Sequence, residues 1–255
     1  MIIRTATEQF TPIMLRDDLW SWSHPDTIVN SPPIAKWNDA SGNNRDWDGD
    51  VLGNTGPTIL TSALNGFDGL RFDGSNDRMP NDDSDYEDLI ESDYTLFMIF
   101  KYGSVPVTGQ GTVFHIGNSS GNDEIRVAFH NSVSVPTPST VARVVSNGSD
   151  LVGSGSNGKR LGPVSATTYG TLTIEVDHGT SFQHYVNGSS KSLGATRACP
   201  IDSGDHVKLC QRDNNGSSTY FGEVDFIEWI AVAKILSTAQ RELVENYLRN
   251  KYRHY

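Results

Sequence analysis

Three carboxylates crowd one short stretch of this chain, Glu223-Val224-Asp225-Phe226-Ile227-Glu228. Paired carboxylates are the tools of glycoside hydrolysis: one acts as nucleophile or base, the other as acid, and a retaining reaction needs them about 5 Å apart. In a regular strand Glu223 and Asp225 share a face. Glu228 joins them only if a β-bulge shifts the alternation. The residues that follow, Trp229-Ile230-Ala231-Val232, are apolar, which suits a buried strand better than an open cleft.

A second acidic group lies between Asn81 and Asp93 and holds Asp82, Asp83, Asp85, Glu87, Asp88 and Glu91 with no basic residue among them. Clustered hard oxygens suit Ca²⁺, and Asp82, Asp83 and Asp85 are the candidate metal ligands. The spacing is not that of an EF-hand, and a solvated acidic loop is the alternative. Trp22 and Trp47 stand in polar surroundings, Trp47 within Arg45-Asp46-Trp47-Asp48-Gly49-Asp50. A ring flanked by carboxylates suits sugar recognition, with the ring against a sugar face and the carboxylates on hydroxyls. That makes Trp22, Trp47, Asp48 and Asp50 the candidate ligand-binding residues. The other reading is a ring that anchors a loop to the edge of the fold. The seven histidines show no HxH or HExxH spacing. No nucleophile elbow, phosphate loop or dinucleotide fingerprint is present. Calcium is therefore the one cofactor to consider; otherwise none is expected.

The elements that position these groups follow from composition and pattern. The 255 residues, 36% of them hydrophobic, are enough to bury a sizeable core, and 24 glycines and 11 prolines scattered along the chain suit short strands joined by tight turns. A formal charge of −11 disfavours bare nucleic acid, whose affinity comes from basic residues. No apolar run reaches the ~18 residues of a membrane helix, so no membrane insertion is expected. Met1 to Ile3 lead straight into Arg4 and Glu8 with no apolar leader core, which is read as synthesis in a cytoplasm without ordinary export. In that setting the Asn-x-Ser sequons at Asn118, Asn147, Asn187 and Asn215 read as turns, three of them Asn-Gly. Cys199 and Cys210 flank a turn around Gly204-Asp205 and read as two reduced, half-buried thiols.

Thr95 to Tyr102 is a nearly continuous apolar run, a strand in the middle of a packed sandwich. Thr171 to Val176 alternates, with Leu172, Ile174 and Val176 on one face, and Ser181 to Val186 returns into the Asn187-Gly188 turn. Val113 to Ile116, Ile125 to Phe129 and Val141 to Val145 are shorter strands, and Phe221 to Val232 is the longest. Ser237-Thr238-Ala239-Gln240 is a capping box. It opens a helix from about Thr238 to about Lys251, with Ala239, Leu243 and Tyr247 on one apolar stripe and Val244, Leu248 and Tyr252 beside it.

Several strings then line up in order: Leu19-Trp20, Pro25-Asp26-Thr27, Trp37-Asn38-Asp39-Ala40-Ser41-Gly42-Asn43, Gly69 to Asp77, Tyr185 to Gly188, and a last strand running through Glu228 into the helix. In this order, from about Leu19 to Tyr252, they resemble the laminin-G-like branch of the concanavalin A-like lectin/glucanase superfamily. The resemblance implies an all-β fold: a two-sheet antiparallel jelly-roll sandwich over residues 17–255 with one C-terminal α-helix. It makes Trp20 and Trp37 core, Asp73 to Asp77 a turn, and Asn38 to Asn43 a loop folded by side-chain bonds to backbone amides. Where relatives often carry a carboxylate soon after the first Trp, this chain has Ser21-Trp22-Ser23-His24. Residues 1–16 fall outside the pattern and are expected to form an arm that contacts a neighbouring subunit.

The Glu223 to Glu228 string also resembles the catalytic E-x-D-x-x-E of laminarinase-like glycosidases, which share this fold. Those enzymes carry it mid-chain, however, and here it sits in the last strand, where the laminin-G-like pattern already accounts for Glu228. The expected function is therefore a non-catalytic module on the surface of an assembly: a phage virion protein, made in the host cytoplasm, serving as head decoration, fibre or tail adhesin. Its expected partners are other virion subunits, further copies of itself and host surface glycans. The alternatives are a glycoside hydrolase using Glu223, Asp225 and Glu228, and a purely structural particle protein.

Overall fold

A computed structural model describes residues 10–29, 34, 36–49, 56–81, 86, 89, 91–103, 109–117, 124–131, 139–146, 149–152, 160–162, 168–178, 180–190, 206–214, 217–219 and 221–254. Asp50, Asp82, Asp83, Asp85 and Cys199 lie outside them. So do the proposed turns at Asn118, Asn147, Asn215 and Gly204-Asp205.

The strands in chain order are β1 (Leu19–Ser23), β2 (Lys36–Trp37), β3 (Trp47–Asp48), β4 (Thr58–Leu64), β5 (Phe67–Asp73), β6 (Met79–Asn81), β7 (Tyr94–Tyr102), β8 (Gly109–Gly117), β9 (Glu124–Asn131) and β10 (Ser139–Ser146). They continue with β11 (Ser149–Val152), β12 (Arg160–Gly162), β13 (Gly170–Asp177), β14 (Ser181–Val186), β15 (Ser189–Ser190), β16 (His206–Leu209), β17 (Arg212–Asn214), β18 (Ser217–Thr219) and β19 (Glu223–Val232). One sheet runs β15-β14-β13-β7-β19-β5-β4, with β1 also paired to β19. The second runs β11-β10-β9-β8-β16-β6, with β12 on β10. Each of these ladders is antiparallel.

The first sheet is covered on both faces. Towards the second sheet it sends Leu96, Met98, Phe100, Leu172, Ile174, Phe226 and Trp229, which meet Phe114, Ile116, Ile125 and Val127. On its outer face Phe97, Ile99, Ile227 and Ile230 meet Val244, Tyr247, Leu248 and Tyr252 of the C-terminal helix. A strand buried on both faces has no reason to alternate, which is why β7 reads as one apolar run. Phe10 and Leu15, the latter within a short 3₁₀ segment at Pro12–Asp18, pack into the same outer cluster. No helix among the described residues is long and apolar enough to cross a membrane.

The helix spans Thr238–Tyr252 behind the expected capping box: the Ser237 side chain accepts from the Gln240 N–H, and the Gln240 side chain accepts from the Ser237 N–H. Its buried face shares Val244, Tyr247, Leu248 and Tyr252 with the stripe read from the sequence but is rotated away from Ala239 and Leu243. Leu243 is 48% exposed, and Ala239 also faces solvent. The buried residues are Arg241, Val244, Glu245, Tyr247, Leu248 and Tyr252. The rotation has a physical cause on the sheet side. The outer face of β13 carries Thr171, Thr173 and Glu175, all buried under the helix, and these require polar partners. Thr173 Oγ1 donates to Glu245 Oε1 at 2.9 Å, and Arg241 lies 3.7 Å from Glu175. Leu248→Ala should therefore cost about 2–5 kcal/mol and Leu243→Ala under about 0.5 kcal/mol. Urea unfolding of the two variants checks the assignment.

His254, just beyond the helix, shares a 2.7 Å hydrogen bond with Thr171 Oγ1. Burial, with help from Arg249, pushes its pKa down to about 4. An unfolded imidazole titrates near ~6.5, so between there and 4 the unfolded chain takes up the proton first, and stability falls as pH drops through that window. Asp77 works against it: burial pushes its pKa up to about 6, so the native state protonates first and gains stability below that pH. His254→Gln removes the destabilising half. Its urea midpoint should fall less than the wild-type midpoint between pH 7 and pH 4.5.

Candidate functional site

The acidic string lies on β19, the central strand of the first sheet. Its pairing with β7 slips between Phe226 and Glu228, so the bulge that Glu228 would need is present. Before it Val224 and Phe226 point into the sandwich; after it Trp229 and Ala231 do. Asp225 and Glu228 are thereby both set on the outer face, Glu228 below the end of the helix.

The three carboxylates nevertheless keep separate company. Glu223 lies against Gly103: a Cβ on that glycine would stand 2.4 Å from the Glu223 carboxylate. Asp225 is gripped by Arg71 in a two-pronged pair at 2.7 and 2.8 Å and by Lys101 at 3.2 Å. Tyr169 completes this group, with its hydroxyl 3.5 Å from Asp225. Glu228 is 1% exposed. It accepts from Trp22 Nε1 and Lys251 Nζ, each at 2.8 Å, and from the Tyr252 hydroxyl. Burial first, and then the Glu228 charge, push the Tyr252 hydroxyl well above the ordinary tyrosine range and keep it a donor. Along the strand Glu223 and Glu228 are roughly 15 Å apart, about three times the separation of a retaining pair.

The tryptophans hold the fold together. Trp47, read from sequence as a ring in polar surroundings, is 0% exposed. It packs edge-on to Trp229 at 5.1 Å and against Tyr86 at 5.6 Å, and so offers no face to a ligand. Its flanking aspartates mislead because β3 alternates: Trp47 is buried and Asp48 faces solvent. Trp22 is half-buried between His24, at 4.6 Å, and Tyr247, at 6.4 Å, and its indole N–H is taken by Glu228. Trp37 is core, as the resemblance implies, and Trp20 is partly buried beneath Arg45, whose guanidinium lies 3.5 Å from the ring centre.

The loop after Trp37 is folded by its own side chains. Asp39 accepts from the backbone N–H groups of Trp22 and Ser41 at 2.8 Å and of Arg45 at 3.2 Å, and Asp46 accepts from the Asp39 N–H at 2.6 Å. Asn43 ties in the carbonyls of Leu19 and Trp20. In the turn after β5, Asp73 accepts from Ser75 and Asn76 and Asp77 accepts from Asp73. Cys210 is a buried free thiol, and burial pushes its pKa up. Among the described residues no group of three His, Cys, Asp or Glu is placed to hold a metal.

The partners of the acidic string, Arg71, Lys101, Tyr169, Lys251 and Tyr252, were not legible as site residues. They come from β5, β7, the residue just before β13 and the C-terminal helix, scattered over more than half the chain, and only the sheet order and the seating of the helix bring them to β19.

No protein-family model matches the chain, and no curated protein is significantly similar to it. Solved structures do share its fold. A sialidase from Trypanosoma rangeli, solved in complex with sialic acid, is 11% identical with a TM-score of 0.61, over 92% of this chain and 33% of the sialidase. The binding domain of Paraclostridial Mosquitocidal Protein 1 is 14% identical with a TM-score of 0.57, over 92% of this chain and 53% of that one. Domain 4 of AbnA, a GH43 extracellular arabinanase from Geobacillus stearothermophilus in complex with arabinotriose, is 17% identical with a TM-score of 0.54, over 89% and 98% of the two chains. The chain thus spans about a third of the sialidase, 33% of its length, and at these identities the likeness establishes the fold: a two-sheet antiparallel β-sandwich closed by a C-terminal helix.

Proposed function

We propose that the chain is a non-catalytic concanavalin A-like module that binds glycan on the surface of an assembly, and that this assembly is a phage particle. The observation that carries the non-catalytic reading is the separate engagement of the three carboxylates. Asp225 is held between Arg71 and Lys101, and Glu228 is sealed under the helix by Lys251, Tyr252 and Trp22. Hydrolysis needs one carboxyl that can deliver a proton and another that can attack or activate water across the same bond. Here the strand keeps Glu223 and Glu228 apart, and Glu228 is buried.

The glycan reading is supported by the company the fold keeps. The sialidase was solved with sialic acid and the arabinanase domain with arabinotriose. The particle reading is supported by the ordered motifs that resemble laminin-G-like modules, which occur in phage structural and adhesion proteins. Assembly with other virion subunits and with copies of itself belongs to the same proposal.

Purified protein incubated with laminarin or mixed-linkage β-glucan should release no reducing sugar above buffer. Turnover by the wild type that disappears in Glu223→Gln would install the hydrolase reading instead. A glycan array probed with the intact chain should retain it. No retention at any glycan would favour a purely structural particle protein. Mass spectrometry of purified particles tests the placement, which fails if the chain is absent from them.

A further inference from the structure

The Asn187-Gly188 turn and the middle of the C-terminal helix enclose a polar cleft of about 310 Å³. The turn needs its glycine, since φ is +50° at Asn187 and +74° at Gly188. It also presses against the helix: a Cβ on Gly188 would stand 3.3 Å from Glu245 Oε2. From the helix come Glu242, Glu245, Asn246 and Arg249, and from the hairpin Asn187 and Ser189.

The hydrogen bonds already made decide what this lining offers. Glu245 is 5% exposed and its Oε1 is held by Thr173, which leaves Oε2 on the side of the turn. The Asn187 side-chain oxygen accepts from the Thr171 N–H at 2.9 Å, so its NH₂ group is the part left to donate. The Asn246 oxygen accepts from Arg249, which again leaves an NH₂ group. Carboxylate acceptors on Glu242 and Glu245 therefore alternate with the NH₂ donors of Asn187 and Asn246 and with the Arg249 guanidinium, which is itself bonded to Asn246, and Ser189 adds a hydroxyl.

We infer that this cleft is the saccharide site of the module and that it takes a neutral sugar; the inference rests on the glycan-binding reading and gives it a place and a chemical class. Each sugar hydroxyl both donates and accepts, and vicinal hydroxyls are matched by a carboxylate set beside an amide or guanidinium donor. Among the described residues Glu242 and Glu245 meet two guanidiniums, Arg249 in the lining and Arg241 at 3.6 Å from Glu245, so the cleft holds no positive excess that would favour carboxylated or sulfated sugars. Among the described residues no aromatic or aliphatic side chain lines the cleft, so an apolar ligand gains little from them. Its volume lies at the low end of the ~300–1,000 Å³ range of small-molecule sites, which suits one or two sugar rings.

The test is an array of immobilised neutral, sialylated and sulfated glycans probed with the intact chain, followed by calorimetric titration with the neutral oligosaccharide best retained. Glu242 and Arg249 are exposed, so Glu242→Ala and Arg249→Ala should melt like the wild type. Each should weaken binding of the neutral oligosaccharide by roughly tenfold or more, as expected when a hydrogen bond to a charged group is lost. Ser189→Trp, which fills the cleft from an exposed position, should abolish it. Neutral glycan bound equally by the wild type and all three variants would overturn the inference and leave the glycan-binding module standing. Retention of acidic glycans alone would do the same. Retention of no glycan at all would overturn both.

Discussion

Glu228→Ala should lower the unfolding free energy by about 3–5 kcal/mol, the cost of removing one partner from a buried ion pair. The carboxylate serves three donors at once: Trp22 from β1, and Lys251 and Tyr252 from the last turn of the helix. Without it the Lys251 ammonium, whose side chain is only 17% exposed, loses its counter-charge, and two further donors are left without an acceptor. The helix end and β1 should loosen together, because Glu228 is the shared acceptor between them. Glu223→Gln, on the same strand but only half-buried, should stay within about 0.5 kcal/mol of wild type. Urea unfolding of both variants reads the difference directly. Equal stabilities would mean that Glu228 does not hold the helix to the sheet. A Glu228→Gln, Lys251→Met double variant should recover part of the loss, since it removes both charges and keeps one acceptor for Trp22.

Trp47→Ala should cost a similar amount, about 3–5 kcal/mol, as truncation of a fully buried aromatic ring does. The ring sits in a connected group. Trp229 Nε1 donates to Ser21 Oγ at 2.9 Å, Ser21 shares a 2.9 Å bond with the Tyr86 hydroxyl, and Phe114 lies 5.2 Å from Trp229 on the other side. The cavity left at Trp47 would open onto all of them, whereas Trp47→Phe should keep most of the contact and lose less. Thermal melting of the two variants distinguishes a core ring from a sugar platform. A Trp47→Ala protein that melts like wild type and has lost only glycan binding would restore the platform reading.

Where a feature is decided within a few residues, the sequence was sufficient. The Ser237 cap and its Gln240 partner, the Asn187-Gly188 turn and the Asp73 turn are set by close neighbours in sequence, and the Asp39 loop takes its Ser41 and Arg45 amides in the same way before it ties to β1. β7, β13 and β14 were legible for the same reason, because hydrophobic period reports which faces are covered. The need for a bulge before Glu228 was legible too, as a condition on the string rather than as a fact about it.

What escaped the sequence depends on which elements meet. The apolar stripe put Leu243 inward, but the helix lands on the polar row Thr171, Thr173 and Glu175, so Arg241 and Glu245 are buried and Leu243 is left outside. Polarity alone cannot mark a charged residue as buried when its partner lies some seventy residues away. The same holds for the acidic string. Its residue types fit hydrolysis, yet Arg71, Lys101, Lys251 and Tyr252 turn two of its carboxylates into ties between elements. Residue type and spacing thus set turns, caps, strands and the candidate chemistry, because those depend on interactions within one element. Which counter-charges a carboxylate meets depends on the sheet order and the seating of the helix, because only packing brings them within reach.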